Sequence, residues 1–168
     1  MNKNEILESI LLECDVANHL VGKVPAGGED YRQSEGQRTN LEVARYLAFC
    51  GIGGTLAMIE GGWDSYQAWS AKVEDLSMAE IPGAIEAQKA ALVETFAGLT
   101  DADLAREVTH PMGHTMTLER SLLEIPLKWL TGYRMQLYLG AKAAGNDEIW
   151  TPDCWLGVSM PRDAQPAG

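Results

Sequence analysis

The spacing of the apolar residues constrains this chain most. In four long segments they recur every three or four residues, which is the repeat of an amphipathic helix and not the alternation of a half-buried strand. The pattern predicts helices at about residues 4–21, 40–60, 80–97 and 118–144. Four such helices without a convincing sheet are typical of an all-α protein, and we predict a four-helix bundle.

Capping and breaking residues support these boundaries. Gly22 can end the first helix, and Thr39 with Glu42 has the spacing of a capping box ahead of the second. Gly145 suits the position just after the fourth helix. Pro126 lies inside the fourth helix and should bend it, because proline removes one backbone hydrogen bond.

The segments between the helices complete the predicted organisation. Residues 61–77 are long enough for a crossover between the second and third helices, and residues 106–117 are expected to form two extended segments around a Pro-Met-Gly turn. A length of 168 residues favours one domain. We assign that domain to residues 1–160 and expect residues 161–168 to be a loose tail.

Charge and cysteine usage exclude several classes of function. The chain has 13 basic and 24 acidic residues and a net charge of -11, which disfavours nucleic acid and anionic membrane surfaces as partners. Its longest uncharged run, residues 46–59, is shorter than the roughly 20 residues that span a bilayer. The acidic N-terminal segment is unlike a secretory signal, so we expect a cytoplasmic protein. Three widely spaced cysteines favour free thiols over disulfides or a zinc site.

Two helix faces point to the middle of the bundle. On the fourth helix Trp129 and Tyr133 lie one turn apart on the apolar stripe. On the second helix, the side that carries Tyr46 and Cys50 continues with the glycines at 53–54. Glycine has no side chain, so this part of the helix surface has a hollow that can hold a bulky group. Either aromatic side chains or a ligand can fill this hollow, and we favour Trp129 and Tyr133 packed into it as core.

Several short segments carry a resemblance to a known family. The chain resembles the DinB-like family of bacterial four-helix bundles, a group of metalloenzymes that includes thiol-dependent transferases. The resemblance spans about residues 30–145, and it implies the same fold. The matching segments are Tyr31-Arg32, Glu35-Gly36-Gln37-Arg38-Thr39, Leu41-Glu42-Val43-Ala44-Arg45-Tyr46-Leu47-Ala48 and Tyr133-Arg134-Met135-Gln136-Leu137-Tyr138-Leu139, followed by Gly145.

The resemblance also implies where a metal would bind. The family holds a divalent metal with one histidine on the second helix and an HxxxH pair on the fourth, and these positions fall on Tyr46, Trp129 and Tyr133. Tryptophan has no lone pair for a metal, and a neutral phenol is a poor ligand. We therefore predict no metal site and no cofactor. The predicted pocket is lined by Tyr46, Cys50, Trp129 and Tyr133, with Arg134 and Gln136 nearby.

Three functional hypotheses remain open. The first is a non-catalytic or metal-independent bundle that binds a small, partly apolar molecule in this pocket. The second is a thiol transferase with a shifted metal site built from His110, His114 and an acidic residue, although Pro111 and Gly113 disfavour a helix there. The third is a structural homodimer that pairs through the second apolar side of the second helix. We also expect the protein to form a homodimer.

Overall fold

The computed structural model describes residues 2–110 and 113–164, and it confirms an all-α architecture. A short antiparallel hairpin of β1 (Glu107–Thr109) and β2 (Thr115–Thr117) joins its two halves. The helices are α1 Lys3–Val21, α2 Asn40–Leu47, α3 Cys50–Glu60, α4 Asp64–Ala71, α5 Ile81–Ala97, α6 Asp101–Ala105, α7 Leu118–Leu122, α8 Lys128–Ala143 and α9 Thr151–Leu156.

The core lies where the long helices meet. Helix α1 packs against both α5 and α8, α2 packs against α8, and α3 packs against α4 and α5. On α1 and α5 the faces that meet are largely the apolar stripes predicted from the sequence, and burial of these stripes holds the bundle together. On α8 the predicted face was wrong by about one residue: Leu130, Arg134 and Leu137 face the core, and Trp129 and Tyr133 are only half-buried. Fully buried residues of the core include Ile6, Ile10, Leu20, Leu47, Ile85, Leu92, Leu118, Leu130 and Leu137.

The second predicted helix is broken into two. Helices α2 and α3 meet at an angle of 47°, and α3 begins without a side-chain cap of its own. The fully buried Gln88 of α5 supplies one: its Oε1 accepts from the N–H groups of Gly51 (2.9 Å) and Ile52 (3.2 Å), and its Nε2 donates to the carbonyl of Leu47 (2.9 Å). One side chain thus satisfies both sides of the break.

The fourth predicted helix is continuous but changes its winding. Between α7 and α8 the residues Leu123–Leu127 form a π-helical turn that contains Pro126. Proline has no N–H to give to the helix ladder, and the wider turn accommodates that loss. The irregularity predicted from Pro126 is therefore present, as a π turn.

The connecting segments differ partly from expectation. The crossover contains α4, a helix that we did not predict. The extended pair at residues 106–117 is confirmed as the hairpin, with Val108 opposite Met116, but the Pro-Met part of its turn lies outside the described residues. In the predicted tail, Arg162 donates to the carbonyl of Asp147 (2.6 Å). Residues 165–168 of the predicted tail also lie outside the described residues.

The length and hydropathy of each helix show whether it could span a membrane. Within residues 2–110 and 113–164, no single helix is long and apolar enough to cross a bilayer. Among the described helices, α2 and α3 taken together pass by length and composition, but they are bent by 47° at the break between them.

Candidate functional site

Six aromatic side chains from three parts of the chain meet beside the break between α2 and α3. Tyr46 comes from α2, Trp63 and Tyr66 from the start of α4, and Trp129 and Tyr133 from α8 just after the π turn. Both helix irregularities therefore adjoin this group. We call it the aromatic cluster, and its members are Tyr46, Phe49, Trp63, Tyr66, Trp129 and Tyr133.

The ring of Tyr46 lies at the centre of the aromatic cluster. Its centroid is 4.3 Å from that of Tyr133, 5.3 Å from that of Phe49 and 6.3 Å from that of Trp129. The rings are tilted or edge-on, which are the arrangements that aromatic pairs prefer. The structure thus brings together Tyr46, Trp129 and Tyr133, the three side chains singled out from the sequence.

The glycine hollow of α3 is filled from within the chain. A Cβ atom on Gly54 would lie 3.2 Å from Cζ3 of Trp129, and one on Gly53 would lie 3.0 Å from Cδ2 of Tyr66. Trp129 occupies the hollow as predicted, whereas Tyr66 takes the place that we expected Tyr133 to share. The side of the second helix that we considered as a dimer interface is therefore covered by α4 and α8, because these rings lie on it.

An open cleft of about 410 Å³ adjoins the aromatic cluster. Tyr46, Phe49 and Tyr66 belong to both the aromatic cluster and the cleft lining. The opposite wall comes from α4 and the residues that follow it. The cleft is lined by Arg38, Glu42, Arg45, Tyr46, Phe49, Tyr66, Ser70, Val73 and Glu74.

Arg38 lies over the aromatic cluster at the edge of this cleft. Its Cζ is 4.7 Å from the centroid of the Tyr46 ring and 5.1 Å from that of Tyr133, and its Nη1 donates to the hydroxyl of Tyr133 (2.8 Å). These are cation–π contacts reinforced by a hydrogen bond. From the sequence, Arg38 was grouped with Arg32 and Arg45 as a solvated or ion-paired surface, because Glu35 and Glu42 lie nearby, and it was therefore not predicted as a site residue.

Two tyrosines of the aromatic cluster, Tyr46 and Tyr66, are neutral phenols. Burial raises the pKa of Tyr46 far above its ordinary value, and burial also raises the pKa of Tyr66. A phenol that keeps its proton is a poor ligand, and the Trp129 indole has no lone pair for a metal. The side chains at the positions implied by the family resemblance therefore do not fit a divalent metal ion.

The other predicted pocket residues have different surroundings. Cys50 is fully buried, and burial raises the pKa of its thiol, so it is not a reactive thiolate. Arg134 is not brought to the cluster: its guanidinium pairs with the carboxylate of Glu13 and donates to the carbonyl of Cys154. Gln136 is half-buried on α8, three residues after Tyr133. All three cysteines are free, as expected from their spacing.

The histidines lie away from the aromatic cluster. The rings of His110 and His114, beside the hairpin turn, are 6.3 Å apart between centroids. Across the described parts of the chain, no three side chains of His, Cys, Asp or Glu are grouped so as to hold a metal. His19 Nε2 lies 2.8 Å from the buried carboxylate of Asp153, which ties α1 to α9. This contact gives His19 a structural role.

A second cleft, of about 600 Å³, lies near the C-terminal segment. It includes Lys23 and Asp153, and Asp153 already accepts hydrogen bonds from the N–H of Trp150 and the hydroxyl of Ser159. No member of the aromatic cluster lines it. The remaining lining residues are Asn146, Asp147, Glu148, Ile149, Met160, Pro161 and Arg162.

Comparison with known proteins identifies the fold. No family model matches the sequence, and no curated protein matches it significantly. A crystal structure described as a DinB-like protein, YjoA of Bacillus subtilis, superimposes with a TM-score of 0.67 over 88% of this chain and 96% of that chain, at 18% identity. The chain has a DinB-like fold. The fold predicted from the resemblance is thereby confirmed, and at this identity the likeness concerns the DinB-like fold alone.

Proposed function

We propose that the protein binds a small, partly apolar molecule in the cleft beside Tyr46, and that it does so without a bound metal. The observation that carries this proposal is the position of Tyr46, whose ring is packed into the aromatic cluster on one side and lines an open cleft of about 410 Å³ on the other. Ligand sites combine such an apolar wall with a few polar groups that fix orientation. Here Arg38, Arg45 and Ser70 supply the polar groups.

The irregular backbone beside the cluster supports the same location. Single π turns inside α-helices occur frequently at functional sites, and this one lies directly before Trp129. The break between α2 and α3 places Phe49 at the cleft.

The side chains at the metal positions implied by the resemblance, Tyr46, Trp129 and Tyr133, support a DinB-like protein without the metal chemistry of that family. A metal-activated water or thiolate requires ligands that bind the ion, and neutral phenols with an indole are poor substitutes. Elemental analysis of untagged, purified protein tests this part of the proposal. We expect zinc and nickel well below one ion per chain. Stoichiometric metal that disappears in the double variant His110→Ala/His114→Ala would favour the shifted metal site instead.

Ligand-observed NMR with a panel of small organic fragments tests the binding site. Ser70→Phe places a bulky ring in the cleft, and Ala68→Phe places the same ring on an exposed position of α4 that does not line it. We expect fragments that bind the wild type to lose binding in Ser70→Phe and to keep it in Ala68→Phe. An empty panel, or hits unaffected by Ser70→Phe, would contradict the proposed function.

A further inference from the structure

The free donors of Arg38 indicate the chemical class of the ligand. We propose that the cleft takes an organic carboxylate, whose apolar body lies along Tyr46 and whose carboxylate pairs with the guanidinium of Arg38. This inference rests on the proposed function and deepens it. It follows from the positions and contacts of the charged side chains in the cleft, which are Arg38, Arg45, Glu42 and Glu74.

Arg38 is held in place by groups that do not neutralise it. The rings of Tyr46 and Tyr133 lie against its guanidinium, and the hydroxyl of Tyr133 takes one N–H of Nη1. Its Nη2 and Nε have no hydrogen-bond partner within the part of the chain that the structure describes. The guanidinium fork is therefore fixed in orientation while donors remain available, which is the arrangement that recognises a planar carboxylate.

Arg45 adds a second positive charge to the same cleft. Its Nε donates to the carbonyl of Leu76 (2.7 Å), which anchors the side chain between α2 and the segment after α4. Across residues 2–110 and 113–164, no carboxylate oxygen lies within 4 Å of a nitrogen of Arg38 or Arg45. In a chain with 24 acidic residues, two arginines without a carboxylate partner at one cleft favour an anion from outside the chain.

The two acidic residues of the cleft do not cancel this preference. Glu42 is committed to the cap of α2: its Oε2 accepts from the N–H of Thr39 (2.7 Å), and that backbone hydrogen bond is the main cause that holds the pKa of the carboxyl below its usual range. The positive charges of Arg32 and Arg38 lower the pKa further, but Arg38 makes no ion pair with Glu42 within 4 Å. The charge of Glu42 is matched by the positive N-terminal end of α2. Glu74 is exposed on the opposite wall, where solvent screens it.

The aromatic wall determines the rest of the ligand. The apolar surface of the cleft comes from the half-buried rings of Tyr46 and Tyr66, because Phe49 and Val73 are each only 4% exposed. A bare inorganic anion leaves these two rings unused. A carboxylate attached to an aromatic or aliphatic body uses both parts of the cleft. The recognised class is thus an apolar organic acid.

The experiment uses matched sets of probes that share a body and differ in charge. Phenylacetate, 3-phenylpropionate, indole-3-acetate and hexanoate are each compared with the primary amide and the amine of the same body, and acetate and inorganic phosphate serve as anions without a body. Dissociation constants come from NMR titration of the full chain. We expect the carboxylates to bind about tenfold or more tightly than their amides, as charge-assisted bidentate pairs do.

Variants assign the preference to Arg38. Arg38→Gln should remove the difference between carboxylate and amide, and Arg38→Lys should retain part of it, since lysine keeps the charge but lacks the fork. Arg32→Gln is the matched control, because Arg32 is exposed nearby and does not line the cleft. Glu74→Gln removes a negative charge from the opposite wall and should make carboxylate binding slightly tighter.

The outcomes separate this inference from the proposed function. Carboxylates and amides that bind equally, with hits that survive Arg38→Gln and disappear in Ser70→Phe, would overturn the anion preference and leave the cleft as the binding site. Binding of acetate or phosphate as tight as that of the organic acids would overturn the role of the aromatic wall. A panel in which nothing binds would contradict both proposals.

Discussion

Arg134 and Arg38 have opposite surroundings. We call the buried contact of α1, α8 and α9 around Arg134 the closed region, and the cleft at Arg38 the open region. Arg134 is buried between α1, α8 and α9, where it pairs with Glu13 and donates to the carbonyl of Cys154. Arg38 is exposed at the cleft, where two aromatic rings and one hydroxyl hold it and no carboxylate does. In the closed region the positive charge of Arg134 is paired with Glu13 and joins two helices. In the open region the guanidinium of Arg38 can still bind an anion. Stability measurements can therefore distinguish the two.

The largest effect is expected in the closed region, from Arg134→Met. Methionine fills similar space but leaves the half-buried carboxylate of Glu13 without its partner, so the free energy of unfolding should fall by about 3–5 kcal/mol. Urea denaturation measures this loss. The double variant Glu13→Gln/Arg134→Met should lose less than the sum of its single variants. A loss below about 1 kcal/mol would mean that Arg134 is no more structural than a surface arginine.

The second-largest loss of stability is expected from replacing Gln88, the side chain that caps the break between α2 and α3. Gln88→Leu leaves two N–H groups and one carbonyl without a partner, and each buried unsatisfied group costs at least about 1 kcal/mol, so we expect a loss of about 3 kcal/mol. Gln67→Leu is the control, because Gln67 is exposed on α4. Equal urea midpoints for the two variants would show that the break does not depend on Gln88.

A smaller effect, which depends on pH, is expected from Asp153→Asn in the closed region. Burial opposes ionisation of this carboxyl, but hydrogen bonds from His19, Trp150 and Ser159 outweigh burial and lower its pKa. A depressed pKa stabilises the folded state above the ordinary value of 3.8, and this contribution is lost as the pH falls through the lower folded value.

Two pH values test this assignment. At pH 7 the loss in Asp153→Asn should be about 1.5–3 kcal/mol, the range for hydrogen bonds to a charged group. The difference between Asp153→Asn and the wild type should narrow as the pH is lowered below 3.8. Urea titrations at pH 7 and pH 3 measure both values. A difference that grows toward low pH would have the wrong sign for this assignment.

The smallest effect belongs to the open region. Arg38→Gln removes exposed cation–π contacts, which are worth about 0.5–1 kcal/mol, so the free energy of unfolding should fall by less than about 1 kcal/mol. Far-UV circular dichroism should remain unchanged. A loss as large as that of Arg134→Met would make Arg38 structural, and the contrast between the two arginines would disappear.

The site was predictable from the sequence only in part. Helical spacing placed Trp129 and Tyr133 on one face and Tyr46 beside a glycine hollow, and those contacts are present. The same spacing could not assign Tyr66, because no regular pattern marks α4. Arg134 was placed near the pocket by its neighbours in sequence, but adjacent residues on a helix point about 100° apart. That rotation directs Arg134 toward Glu13.

Apolar periodicity and caps by themselves determined the helical class and most helix ends, because both depend on residues within a few positions of each other. Tertiary structure decided where the second helix breaks, since the acceptor and donor that satisfy the break belong to Gln88 on α5. It also decided which arginine is neutralised. Long side chains reach several ångströms from the backbone, so their partners are set by the packing of distant helices.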